Sequence, residues 1–108
     1  MMLITAVVVP SRVGVVRHAL GLFGVRGLSM SRVFGAADGA PVEVYRAARR
    51  TASLAPRVRL DVLSPNDDMR DLVRVISRAA TGSELELWVT RVDHLVRIRT
   101  GEVGLDAI

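Results

Sequence analysis

Residues 3–23, LITAVVVPSRVGVVRHALGLF, consist of a strand pattern followed directly by a helix pattern. The first seven residues are rich in β-branched side chains and predict a buried strand that Pro10 ends. Ser11 is a suitable N-cap for the helix. The apolar residues after it recur at helical spacing and predict one buried helix face, with the helix ending near Gly24. These apolar residues are Val13, Val16, Leu20 and Phe23.

The rest of the chain extends this strand–helix unit into a complete small domain. Residues 28–34 alternate in part and residues 57–63 alternate cleanly, so each predicts a strand. An apolar stripe over residues 72–80 predicts a second helix, and residues 87–92 predict a fourth strand. This order indicates a ferredoxin-like βαββαβ fold of the α+β class, with an antiparallel sheet and both helices on one face. We expect a single domain over residues 1–108.

Residues 35–56 show no consistent hydrophobic period and contain several glycines, prolines and alanines. A loop of this length in so small a domain is usually functional or disordered, so we expect a long flexible loop. Arg46, Arg49 and Arg50 form a basic cluster in it. Two interpretations stand side by side: a solvated group of charges, or a docking surface for an acidic partner.

Composition restricts the range of functions. The chain has no cysteine, which excludes disulfides and thiolate metal ligands, and His18 and His94 stand alone, so no metal site is expected. No apolar run is long enough to cross a bilayer, and a cytoplasmic protein is expected. All fifteen basic residues are arginine, but the net charge of +4 is mild and aromatic residues are few, so nucleic-acid binding is not expected. The sequence contains no recognisable pairing of a nucleophile with a base, so an enzyme is not expected.

The segment Val96-Arg97-Ile98-Arg99-Thr100-Gly101-Glu102 is the most informative for function. If it is a strand, alternation places Arg97 and Arg99 on one face. Two guanidiniums on one face suit a polyphosphate, because each binds oxygens in pairs and keeps its charge. The alternative is a solvated face of an edge strand.

Taken together, several short motifs resemble the PII signal-transduction (nitrogen regulatory P-II) family over essentially the whole length. Each motif is weak alone, but their order and spacing make an accident improbable. The matching motifs are Ala6-Val7-Val8-Val9-Pro10, Gly27-Leu28-Ser29, Glu43-Val44-Tyr45-Arg46, Leu54-Ala55-Pro56-Arg57-Val58, Thr81-Gly82, and Val96 to Glu102 closed by Ala107-Ile108.

The resemblance implies a homotrimer with adenine-nucleotide sites in the clefts between subunits. It also implies that the loop at 35–56 corresponds to the family's T-loop, which contacts a transporter, an enzyme or a regulator. ATP, ADP or AMP would then be effectors, and no cofactor is obligatory. By position, the nucleotide-binding residues would be Val7, Gly27, Leu28, Ser29, Gly35, Leu63, Arg97 and Arg99, and the partner-binding loop residues Tyr45, Arg46, Arg49 and Arg50.

Several positions depart from the family pattern. Ser83-Glu84-Leu85-Glu86 replaces a segment in which backbone N–H groups and a lysine usually meet the phosphates. Ala36 and Ala37 stand near the position of the glutamine that helps to bind Mg-ATP and 2-oxoglutarate, and Arg50 stands at the tyrosine that many members modify. These changes predict fewer phosphate contacts and exclude nucleotidylation at the usual tyrosine. The alternative function is therefore a degenerate PII-like interaction module that has lost ATP and 2-oxoglutarate binding or binds another small anion.

Overall fold

The computed structural model describes residues 1–36, 42–45, 48–51, 54–81 and 86–108. Within these residues the chain forms a four-stranded antiparallel sheet, a separate two-stranded hairpin and two α-helices. The strands and helices are, in chain order, β1 (Met2–Val8), α1 (Val13–Phe23), β2 (Ser29–Ala36), β3 (Val42–Tyr45), β4 (Ala48–Thr51), β5 (Leu54–Ser64), α2 (Met69–Ala79) and β6 (Glu86–Arg91).

The main sheet has the strand order β2-β5-β1-β6, and every neighbouring pair in it is antiparallel. The hairpin of β3 and β4 lies between β2 and β5 in the chain and forms its own sheet. The four main strands and the two helices follow the order that the sequence predicts. The ferredoxin-like α+β fold is therefore confirmed.

The hydrophobic core lies between one face of the sheet and both helices. Ile4 and Ala6 on β1 are paired with Val62 and Leu60 on β5, and all four side chains are buried. Burial of each large aliphatic side chain contributes about 1.5–3 kcal/mol, which makes this layer the main source of stability. The helix residues that complete the core are Val16, Leu20, Leu72, Ile76 and the following Ala80.

The first helix begins later than predicted. Pro10–Arg12 form a 3-10 turn, α1 starts at Val13, and no side chain caps it. The prediction of Ser11 as the N-cap was wrong, because Ser11 lies inside this turn. The end of the helix was predicted correctly: Gly24 takes a φ of 108°, a left-handed conformation that glycine adopts without a steric penalty.

Strands β2 and β5 extend further than the sequence pattern indicates, and they pair as far as Ala36 and Leu54. Gly35 and Pro56 therefore lie in strands instead of at the ends of a loop. Pro56 is tolerated because β1 pairs with β5 only as far as Val58, so Pro56 has a strand neighbour on one side only. The predicted loop also contains the hairpin. Its proposed flexibility stays a prediction.

Neither of the two α-helices in the described residues covers the second face of the sheet. Thr5 on this face is nevertheless fully buried, between Asp61 of β5 and Trp88 of β6. Its Oγ1 donates a hydrogen bond of 2.6 Å to Asp61 Oδ1, and Arg59 Nε donates to Asp61 Oδ2 at 3.1 Å. The Arg59 guanidinium lies 5.7 Å from the centroid of the Trp88 ring, within cation–π range. This face thus carries an organised polar network in the middle of the sheet.

Candidate functional site

A cleft of about 870 Å³ lies at one end of the sheet. The main parts of its lining are the segment from Phe23 to Ser29, the end of β5 with the turn that follows, and the C-terminal residues after Val96, and Leu3 of β1 and Leu72 of α2 complete it. Its apolar lining includes Leu28, Leu63 and Leu72. Such a surface suits a flat apolar group such as a nucleobase, provided that polar groups nearby fix its orientation.

The C-terminal residues reach the cleft through a tight turn. Val96 and Val103 form an isolated antiparallel bridge, and the Gly101 N–H donates a 2.8 Å hydrogen bond to the Arg97 carbonyl. Gly101 has a φ of 74°, which glycine adopts most readily. The turn places the Arg97 side chain on the cleft, where its Nη2 donates a hydrogen bond of 3.1 Å to the carbonyl of Ala107.

The predicted pair of arginines on one strand face was wrong. Residues 98–100 form a turn, so Arg97 and Arg99 do not alternate along a strand. Arg97 lines the cleft and Arg99 does not. The strand pattern misled because two of the β-branched residues of this segment, Ile98 and Thr100, lie in the turn itself, which Gly101 closes. The phosphate-binding roles of both arginines stay predictions.

Five of the eight predicted nucleotide-binding residues line the cleft, namely Gly27, Leu28, Ser29, Leu63 and Arg97. The other three, Val7, Gly35 and Arg99, do not line it.

Two of the residues outside the cleft are separated from it along the sheet. Val7 is paired with Arg59 on β5 and Glu86 on β6. Gly35 lies six residues beyond Ser29 on β2, a separation of about 20 Å at the rise of an extended strand. The eight predicted residues therefore do not all meet in the cleft of one chain.

Four carboxylates in the cleft were not predicted as site residues. They are Asp61, Asp68, Glu102 and Asp106, and they share the lining with two arginines, Arg26 and Arg97. The sequence held a partial signal, because Asp61 and Leu63 alternate onto the same face of β5. The C-terminal carboxylates could not be placed without knowing that the chain turns at Gly101.

The predicted partner-binding residues lie in or beside the hairpin. Tyr45 ends β3, and Arg49 and Arg50 lie in β4, where Arg50 is paired with Glu43. Arg46 lies outside the described residues, as do residues 82–85, which include most of the acidic segment after Thr81. The assignment of this region to partner binding stays a prediction.

The described part of the chain offers neither a metal-binding cluster nor a membrane-spanning helix. Within it, no group of three or more histidine or acidic side chains is arranged to hold a metal ion. None of the helices in these same residues is long and apolar enough to span a membrane.

The fold places the chain among the ferredoxin-like α+β domains. Comparison with known proteins identifies the family within this fold class. The family model for nitrogen regulatory protein P-II matches residues 1–102. The chain belongs to this family of regulatory signal-transduction proteins, and the resemblance identified in its sequence is confirmed.

Individual relatives match over nearly the whole chain. The nitrogen regulatory protein GlnK of Escherichia coli K12 is 32% identical over 113 residues, covering 100% of both chains. The nitrogen regulatory protein P-II 1 of Methanothermobacter thermautotrophicus is 35% identical over 109 residues, covering 97% of this chain and 95% of its own. The crystal structure of Arabidopsis thaliana PII bound to citrate superposes with a TM-score of 0.81 at 25% identity, covering 99% of this chain and 91% of that one.

Proposed function

We propose that this protein is a trimeric cytoplasmic signalling protein that senses adenine nucleotides in clefts between subunits. In this proposal, the nucleotide state is transmitted to a partner protein, a transporter or an enzyme, through the region 35–56. The protein regulates its partner and catalyses no reaction. The single observation that best supports the proposal is the cleft in which Gly27, Leu28, Ser29, Leu63 and Arg97 meet.

The position of Val7 and Gly35 outside the cleft of one chain supports a cleft between subunits. Val7 and Gly35 are removed from Arg97 within one chain, yet the family resemblance assigns all three to one ligand. A second copy that presents its Val7 and Gly35 opposite the Arg97 wall would bring them together. Each cleft would then have one wall from each of two neighbouring subunits, and a closed trimer would contain three clefts.

The uncovered face of the sheet is the surface on which the copies would meet. Leu3 and Val7 lie on it, and Trp88 is 40% exposed there. An apolar surface with an exposed aromatic side chain is typical of the core of an interface between identical subunits. Light scattering after size exclusion tests the assembly. A mass of three times the 11.7 kDa of one chain is expected, and a monomer at micromolar concentration would contradict the proposal.

Isothermal titration calorimetry with ATP, ADP and AMP tests the sensing function. At least one of these nucleotides should bind with a dissociation constant below about 1 mM, a free energy of about −4 kcal/mol. A trimer that binds none of them would refute nucleotide sensing and favour the alternative, an interaction module that has lost the nucleotide or binds another small anion. The observation that favours this alternative is that carboxylates outnumber arginines among the residues that line the cleft.

A further inference from the structure

The second helix carries a line of four charged side chains on a face that points away from the core. Asp71, Arg74 and Arg78 lie in α2, and all three are exposed. Asp67, which is also exposed, lies in the 3-10 turn directly before the helix. Steps of four, three and four residues keep side chains on one face, with the period of two helices packed side by side. These four residues form the α2 stripe, in the order negative, negative, positive, positive.

Within one chain the charges of the α2 stripe stand in an unfavourable order. Asp67 and Asp71 are four residues apart, as are Arg74 and Arg78, and like charges at this spacing destabilise a helix. In the part of the chain that the structure describes, the one ion pair joins two residues of β5, so no described residue pairs with the stripe. Arg70, at the edge of the same face, adds a further exposed positive charge. An exposed surface thus carries unpaired charges of both signs, separated along its length.

We propose that the α2 stripe binds the α2 stripe of a second copy of this chain in another oligomer. When the two helices lie antiparallel across a two-fold axis, Asp71 faces Arg74 of the second copy, and Asp67 faces its Arg78. The symmetry repeats both pairs, so one contact contains four pairs of opposite charge. The same contact separates none of the pairs that the structure shows within a chain.

The order of the charges selects this occupant over others. A partner surface that is acidic throughout would be repelled by Asp67 and Asp71, and a basic one by Arg74 and Arg78. In the proposed trimer the copies meet through the uncovered sheet face, which leaves α2 on the outside. The contact would therefore join oligomers side by side, and it depends neither on nucleotide binding nor on the number of subunits in each oligomer.

The salt dependence of the mass tests the contact on the unmodified protein. The net charge of +4 per chain opposes association at long range. At an ionic strength of about 0.15 M the Debye length is about 8 Å, which screens this repulsion more than it screens ion pairs in contact. Sedimentation velocity at up to about millimolar concentration should then show a mass that rises above the basal oligomer, because exposed ion pairs are individually weak. At about 1 M, where the Debye length is about 3 Å, only the basal oligomer should remain.

Charge reversal tests the antiparallel geometry. Asp71→Arg and Arg74→Asp each place two like-charge pairs at the centre of the contact, so each variant alone should reduce the association constant at least about fivefold. An equimolar mixture of the two purified variants should restore it, because every charge in a mixed contact again faces its opposite. Both variants keep a positive net charge, so net charge does not draw them together.

Asp93→Arg and Arg91→Asp are the matched controls. They make the same changes in net charge at exposed residues outside α2, and each should associate like the wild type. The proposal is overturned by a wild-type mass that is the same at both ionic strengths, by single α2 variants that associate like the wild type, or by a mixture that associates no better than its components. Each of these results would leave nucleotide sensing untouched.

Discussion

Arg97 reaches the cleft because the backbone around it closes a turn, and the Ala107 carbonyl then holds its guanidinium at 3.1 Å. An arginine that is fixed in this way loses less side-chain entropy when it binds an anion. The position of one guanidinium is therefore determined by two residues far along the turn, Gly101 and Ala107, neither of which carries a charge.

Replacing Arg97 with alanine should weaken ATP binding and leave adenosine binding unchanged. Loss of a charge-assisted hydrogen bond costs about 1.5–3 kcal/mol, which is about tenfold to 150-fold in affinity. Calorimetry with both ligands measures the difference. Arg70→Ala is the control, since Arg70 is an exposed arginine on α2 outside the cleft, and it should bind both ligands like the wild type. Equal losses for ATP and adenosine would show that Arg97 does not act through the phosphates.

Thr5 is the fully buried centre of the polar network on the uncovered sheet face. Thr5→Val keeps the shape but removes the donor to Asp61, and leaving a partly buried carboxylate short of one partner should cost about 1–3 kcal/mol. Urea unfolding at fixed protein concentration gives the change in the free energy of unfolding. Ser77→Ala removes an exposed hydroxyl on α2, away from this sheet face, and should change it by less than about 0.5 kcal/mol. Equal effects of the two variants would contradict a stabilising role for the Thr5–Asp61 bond.

Among the elements, the C-terminal turn depends most on backbone conformation. Gly101 has a φ of 74°, and no heavy atom lies within 4 Å of the position that a Cβ would take. Gly101→Ala should therefore be strained by the backbone alone, by about 1–2 kcal/mol. Because the strain loosens the turn that presents Arg97, ATP affinity should fall while adenosine affinity is kept.

Gly21 in α1 is the matched control. A Cβ at Gly21 would also meet open space, but its φ is not positive, so Gly21→Ala should stabilise the protein by about 0.5–1 kcal/mol. Thermal unfolding and calorimetry of both variants measure these effects. A Gly101→Ala protein as stable as the wild type and with unchanged ATP affinity would show that the turn does not depend on this conformation.

The sequence predicts the main elements well where hydrophobic periodicity is strong. The alternation over residues 57–63 placed Leu60 and Val62 on the buried face, and both are fully buried. Prediction from periodicity failed where backbone conformation decides the structure. Residues 96–102 have the residue types of a strand, but the chain forms a turn there because of Gly101. The sequence alone could not predict the charge of the cleft, because Asp61 and Asp106 are distant in sequence and line the same cleft only in the tertiary fold.

At the scale of the whole molecule, the proposed nucleotide site depends on assembly. Arg97 lines the cleft of one chain and Gly35 does not, so the proposal assigns them to walls that come from two neighbouring subunits. Two variants test this division. Arg97→Ala disrupts the first wall. Gly35→Asp places a negative charge on the second, where a Cβ would make only an ordinary 3.8 Å contact with Arg57.

Co-expression of the Arg97→Ala and Gly35→Asp chains, followed by ATP titration of the purified mixed trimers, tests the shared cleft most directly. Each variant alone should bind ATP weakly or not at all. Random mixing of equal amounts should restore wild-type affinity in about a quarter of the clefts, since that fraction receives an intact wall from each neighbour. Mixed trimers that bind no more ATP than the separate variants would contradict a site built from two subunits.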